Sequence, residues 1–273
     1  MLPASTGGKE ITTVKRVTVF AYGVASYAVF FATFLYAVGF IGNFGVPKTI
    51  DGERQVPLIQ AMLTNMGLLG LFAVQHSVMA RRWFKRAWTR IVPEPAERST
   101  YVLLSSLCLI AMFYFWEPMG GPIWSVENPT ARLALMAIFF LGFAIVLVST
   151  FLINHFDLFG LRQVYLYLRG RRYTTLQFRT PAFYRYVRHP LYFGWLLAFW
   201  AAPDMTAAHL LFALLTTAYI FMAIQWEERD LVRDHGELYR QYRRTTPMIL
   251  PRLKGESQTP VTPPQVGVGN AAS

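Results

Sequence analysis

The chain alternates long apolar blocks with short, polar and mostly basic segments. The blocks run near residues 17–41, 58–80, 100–116 and 131–153, followed by an apolar region from Pro190 to Trp226 that breaks at Pro203-Asp204. At 1.5 Å per residue, each of the first four suits a hydrocarbon core of ~30 Å. The last region is too long for one crossing and predicts two antiparallel helices, a short one at 190–202 and a longer one at 205–226. An isolated apolar block in lipid must satisfy its own backbone hydrogen bonds, which leaves helices as the solution. The pattern therefore predicts an all-α, polytopic membrane bundle of about six spans, the last two forming a helical hairpin. One domain covers residues 1–254, and the Pro-, Thr-, Gly- and Val-rich stretch 255–273 reads as a disordered tail.

Composition agrees: 54% of residues are hydrophobic and 15% charged, with a mean hydropathy of +0.32, against about 25% charged in a soluble domain. Basic residues orient the spans because they concentrate in cytoplasmic loops. Lys9, Lys15 and Arg16 precede the first block, six basic residues lie in 81–99, seven in 154–189 and seven after Trp226, whereas 117–130 has none. Both termini and all four basic segments are thereby expected in the cytoplasm, in a multi-pass protein of the cell membrane. The net charge of +11 is a topology signal. Its spread over juxtamembrane segments, with no binding module, argues against nucleic acid as a partner. The first apolar run continues without a small-residue cleavage pattern, so it reads as a retained span and not as a signal peptide. The single cysteine, Cys108, permits no internal disulfide.

No GxGxxG, P-loop, HExxH or CxxC occurs, so soluble Rossmann, ATPase and zinc-hydrolase chemistry lack their residues. Three of the five histidines fall at one predicted membrane depth: His76 closes the second block, His155 follows the fourth and His189 opens the fifth. Polar residues at such helix ends usually face the bundle interior or a cavity. The carboxylates and helix-spaced partners of a metal centre are missing, so no metal is expected.

The sharpest signal is C-terminal. Arg188-His189-Pro190-Leu191-Tyr192-Phe193-Gly194 is followed, after the hairpin, by Glu227-Glu228-Arg229-Asp230-Leu231, then by Tyr239-Arg240-Gln241-Tyr242 and Thr246-Pro247, ending at Pro251. These elements, in this order, resemble those of the isoprenylcysteine carboxyl methyltransferase superfamily over about residues 184–251. The resemblance implies a cytoplasmic pocket for S-adenosylmethionine. In such a pocket Arg188 and His189, at a helix N-terminus with Pro190 in its first turn, would hold the donor carboxylate. Tyr192 lies within the same motif, and Gly194 would let a ligand or a neighbouring helix approach the backbone. Glu227 and Glu228 would meet the ammonium and the ribose or adenine, and Tyr239 and Tyr242 would cover the adenine or sulfonium.

The N-terminal half narrows the resemblance. Gln75-His76-Ser77-Val78-Met79-Ala80-Arg81, Glu97-Arg98-Ser99-Thr100-Tyr101 and the run from Asn154-His155-Phe156-Asp157 to Gln163 are similar to the bacterial methanethiol S-methyltransferase group and to the wider NnrU-like membrane proteins. That likeness implies a small thiol as acceptor, with dimethyl sulfide as product. Thiolate is the nucleophile, so a base is useful. His76 and His155 are the candidates, with Asp157 as a residue that could orient either imidazole. The alternatives are methylation of another thiol, an isoprenylcysteine or a lipid amine, an NADPH-dependent membrane reductase, and a non-catalytic NnrU-like protein. Oligomeric state is open.

Overall fold

A computed structural model of the protein describes residues 7–176 and 178–250, with side chains from Thr13 onward. Pro251 and the tail at 255–273 lie outside the described residues. In chain order the helices are α1 (Gly7–Gly42), α2 (Leu58–Ala80), α3 (Arg82–Trp88), α4 (Glu97–Phe115), α5 (Pro129–Ile153), α6 (His155–Leu158), α7 (Leu161–Leu168), α8 (Pro190–Trp200), α9 (Ala207–His235) and α10 (Glu237–Thr245). Two short strands, β1 (Pro122–Ser125) and β2 (Asp204–Thr206), pair antiparallel. Among the described residues, α1, α2, α4, α5 and α9 are long and apolar enough to cross a membrane. Ile59, Leu63, Val74, Leu133 and Leu141 on these helices are exposed, an outward-facing apolar surface that lipid covers and water would not tolerate. The protein is an all-α, multi-pass membrane protein.

The sixth expected crossing is shorter than a span. Helix α8 has 11 residues, about 16 Å at 1.5 Å per residue, or half a hydrocarbon core. Extended chain from Ala201 to Thr206 continues toward the far end, and its polar groups are matched. The Trp124 indole donates to the Ala202 carbonyl at 3.1 Å, Val126 N–H to the Pro203 carbonyl at 3.0 Å, and β2 pairs with β1. The backbone groups of this stretch thus find partners within the protein, as non-helical chain at the end of a membrane bundle requires.

Small residues hold α8 in place. A Cβ on Gly194 would lie 2.7 Å from the Gly142 carbonyl oxygen, and one on Gly142 would lie 2.6 Å from the Gly194 carbonyl oxygen, so α5 and α8 touch backbone to backbone. Below this crossing, Phe40, Phe113, Trp116, Phe199 and Phe212 form a buried aromatic core toward the far end. There Arg132 forks onto Asp204 at 2.6 and 2.9 Å. The Arg132 hydrogen bonds, then that of Ser125, hold the Asp204 carboxyl down at about 2. The opposite end, which carries the start of α1, the end of α5 and the end of α9, holds the sequence motifs.

Candidate active site

The loop entering α8 and the chain leaving α10 are stitched together by two backbone hydrogen bonds. Arg188 N–H reaches the Pro247 carbonyl at 2.9 Å and His189 N–H the Met248 carbonyl at 3.0 Å. This clasp places Arg188 and His189 over Glu228 of α9. Arg188 Nε donates to Glu228 Oε1 at 2.7 Å, His189 Nε2 lies 3.1 Å from the same oxygen, and Arg243 Nε of α10 is 3.2 Å from Oε2. Arg188 also donates to the carbonyls of Arg243 and Thr246. Glu228 is 5% exposed, so its charge survives only because these donors surround it.

Arg188 and Glu228 are thus spent on each other, and the groups left to meet a ligand are their neighbours. Glu227 is 45% exposed, lies 3.9 Å from His189 Nδ1 and accepts the Tyr192 hydroxyl. Tyr184 also faces this carboxylate: burial first, then the Glu227 charge, pushes its phenol above the usual range. Tyr239 and Tyr242 are buried and pack on Phe178 at ring distances of 5.8 and 5.7 Å. The Tyr242 hydroxyl donates to the Tyr184 carbonyl, and burial raises both phenols. These two rings form the floor of the lobe. Gly194 faces α5, serving the helix approach and not an open pocket.

On the bundle side of Glu227, side chains from four helices converge. His76 of α2 is part-buried, stacks on Phe72 at 5.1 Å, and shares hydrogen bonds with the Tyr101 hydroxyl of α4 at 2.8 Å and Ser105 at 3.3 Å. Tyr219 of α9 hydrogen-bonds Ser77 at 2.9 Å. Tyr101 and Tyr219 both act electrostatically on Tyr192 of α8. Tyr192 thus lies within electrostatic reach of Glu227 on one side and of Tyr101, the hydrogen-bond partner of His76, on the other. The sequence reading passed over Tyr101, Tyr184 and Tyr219. Tyr101 alone carried a signal, because it ends the Glu97–Tyr101 run.

His155 and Asp157 stand apart from these residues. His155 is 2% exposed and lies between Phe151, stacked at 4.2 Å, and Phe159 at 4.8 Å. Thr150 Oγ1 donates its one proton to the Leu147 carbonyl at 2.6 Å, so at 2.8 Å from His155 Nδ1 it must accept. His155 Nε2 then accepts from the Tyr27 hydroxyl at 2.7 Å, and no lone pair remains for a substrate proton. Burial lowers its basicity further. Asp157 orients neither imidazole. Its carboxylate is held by Arg162 at 2.9 Å and by the Tyr173 hydroxyl at 3.2 Å, because Asn154, at φ 149°, ends α5 and caps α6 so that Asp157 turns toward α7.

Comparison with known proteins places these residues in a lineage. No family profile and no solved structure matches the chain. A methanethiol S-methyltransferase of Crocosphaera subtropica is 58% identical over 244 residues, covering 89% of this chain and 96% of that protein. The enzyme of the same name from Mycobacterium tuberculosis is 55% identical over 238 residues, covering 87% and 98%. Nurim of Sus scrofa is a more distant relative, 30% identical over 240 residues. With such identity over nearly nine-tenths of its length, the chain belongs to the methanethiol S-methyltransferase family.

Proposed function

We propose that this protein methylates methanethiol to dimethyl sulfide, with S-adenosylmethionine as donor, at the cytoplasmic end of the bundle. The observation that carries the reading is an open carboxylate, Glu227, hydrogen-bonded to Tyr192, at the same end of the bundle as a part-buried imidazole, His76, hydrogen-bonded to Tyr101. The donor set fits this cofactor: Glu227 complements a cationic ligand, Tyr184 and Tyr192 offer phenol rings and hydroxyls, and the α8 N-terminus at His189-Pro190 favours a carboxylate. Bound there, S-adenosylmethionine supplies an electrophilic methyl group on a sulfonium. Glu227 and His189 orient the ligand, Tyr192 separates the two halves, and His76 takes the thiol proton while Tyr101 fixes its ring. The packed tyrosines exclude water, which favours attack by a small, apolar nucleophile.

The test is purified protein in detergent with methyl-labelled S-adenosylmethionine and methanethiol, reading label in dimethyl sulfide. No label in the product, with no donor binding, removes the proposal. A reporter fused after Trp226 that reads as external would remove the cytoplasmic assignment.

A further inference from the structure

Arg98 is the member of the Glu97–Tyr101 run that the chemistry above leaves unused. It lies one turn before Tyr101 on α4, with its guanidinium carbon 5.9 Å from the Tyr101 ring centre. It is the charge that acts on His76, and the foremost charge acting on Tyr101. Among the described residues no carboxylate lies within ion-pair distance of it, although other arginines at this end, such as Arg81, Arg162 and Arg188, have one. The other charged and titratable groups facing this corner include Lys85 and Arg82 of α3, Arg81, Glu97, Tyr192 of α8, Tyr219 of α9 and Tyr173 after α7. Burial, then the Arg98 charge, lowers Lys85 from its ordinary range. The corner has more positive charge than its own carboxylate offsets.

Such a corner beside an imidazole favours an anion over a second cation. An alkyl thiol is at least as hard to ionise as cysteine, whose reference pKa is ~8.5. At neutral pH only a few per cent or less is thiolate, so the acceptor gains from a fixed positive charge beside the base. An opposite charge within about 4–6 Å shifts such an equilibrium by about 1–3 pKa units toward the ionised form.

We propose that Arg98 holds the acceptor sulfur as its thiolate, between the guanidinium and His76. This rests on the thiol methyltransferase reading. The S–H bond breaks, its proton passes to His76 and from there to water, and the electron pair stays on sulfur opposite Arg98. That pair forms the new sulfur–carbon bond, and the pair of the old methyl–sulfonium bond returns to the donor sulfur. Arg98 keeps its charge throughout.

The experiment compares Arg98→Gln and Arg98→Lys across pH. At neutral pH the Gln variant should lose about 10–10³-fold in rate with methanethiol, with the loss closing as pH rises, and the Lys variant should retain most of the rate. Methaneselenol, already ionised at neutral pH, should be methylated by the Gln variant at close to the wild-type rate, and donor affinity should not change. In the wild-type protein without donor, the ultraviolet absorbance of thiolate should show bound methanethiol ionising at lower pH than free methanethiol. Identical ionisation of bound and free thiol overturns the proposal, as does a loss equal for thiol and selenol. Weakened donor binding with an unchanged pH profile also overturns it, placing Arg98 at the donor carboxylate instead. Should the wild type transfer no methyl group, the enzymatic reading falls, while the thiolate absorbance still reports on Arg98.

Discussion

Glu227 and Glu228, adjacent in sequence, have opposite environments: Glu228 is 5% exposed and bound by Arg188, His189 and Arg243, while Glu227 is 45% exposed and meets the edge of His189 and the Tyr192 hydroxyl. One supports the lobe, and the other is available to a ligand. The two should separate on mutation. Glu228→Ala leaves two guanidinium groups without their buried partner, and we predict a loss of about 3–5 kcal/mol in stability, seen as a lower unfolding midpoint in detergent. Glu227→Gln should leave that midpoint near wild type and weaken S-adenosylmethionine about 10–100-fold, the scale of one hydrogen bond to a charged group. Equal destabilisation by both would contradict this division.

His76→Ala is predicted to lower kcat by about 10²–10⁴-fold, the range of a general base, with donor affinity unchanged because the interaction is made mainly in the transition state. Raising the pH should narrow the deficit as solution supplies thiolate. Tyr101→Phe should show the same trend at smaller size. A His76 variant with wild-type turnover at neutral pH would shift the explanation to positioning alone.

His155 should register in stability and not in turnover. Its pKa is lowered from 6.5 by burial, so the unfolded chain takes up a proton that the folded one refuses. Stability is therefore full above the unfolded value and falls as pH drops through about 6.5 toward the lower folded value. His155→Gln should reduce this acid sensitivity, measured as the difference in unfolding midpoint between about pH 7.5 and 5.5. A variant that keeps the full wild-type acid shift would assign it to other groups.

The α5–α8 contact gives a purely steric prediction. Gly194→Val must displace the Gly142 carbonyl, 2.7 Å from the new Cβ, and should cost about 1–3 kcal/mol by overpacking. Gly67 of α2 has nothing within 4 Å of a built Cβ, so Gly67→Ala should be neutral or slightly stabilising. Comparable losses in the two variants would mean that helix propensity, not the crossing, governs the effect.

How much of this could be read from sequence depends on the range of the interactions involved. Apolar run length is local, and it located the five long apolar helices among the described residues, although α1 starts at Gly7 and α9 runs on to His235, because their polar ends carry no apolar signal. The short α8 was legible as a helix but not as a half-span, because Ala201 and Ala202 read as apolar helix. What ends the helix is the pairing of this stretch with Trp124 and Val126, some 80 residues earlier. Arg188, His189 and the two glutamates, grouped by their motifs in sequence, are neighbours in the fold. Spacing could not tell which glutamate was buried, since Arg243 and the carbonyl of Thr246 decide that from α10. Asp157 was assigned to an imidazole because of its nearness to His155 in sequence, while the turn at Asn154 directs it to Arg162.

The two hydrogen bonds joining Arg188 and His189 to Pro247 and Met248 also set an order of events during synthesis. Among the described residues, the helices long and apolar enough to cross a membrane all precede residue 236, and chains acquire structure from the N-terminal side as they are made. The bundle can therefore enter the bilayer while the segment that secures Arg188 is still inside the ribosome. Insertion and closure of the Arg188–Glu228 cluster become separate steps, and a chain stopped between Gly236 and Thr246 would be an inserted bundle without the backbone clasp that holds Arg188 and His189.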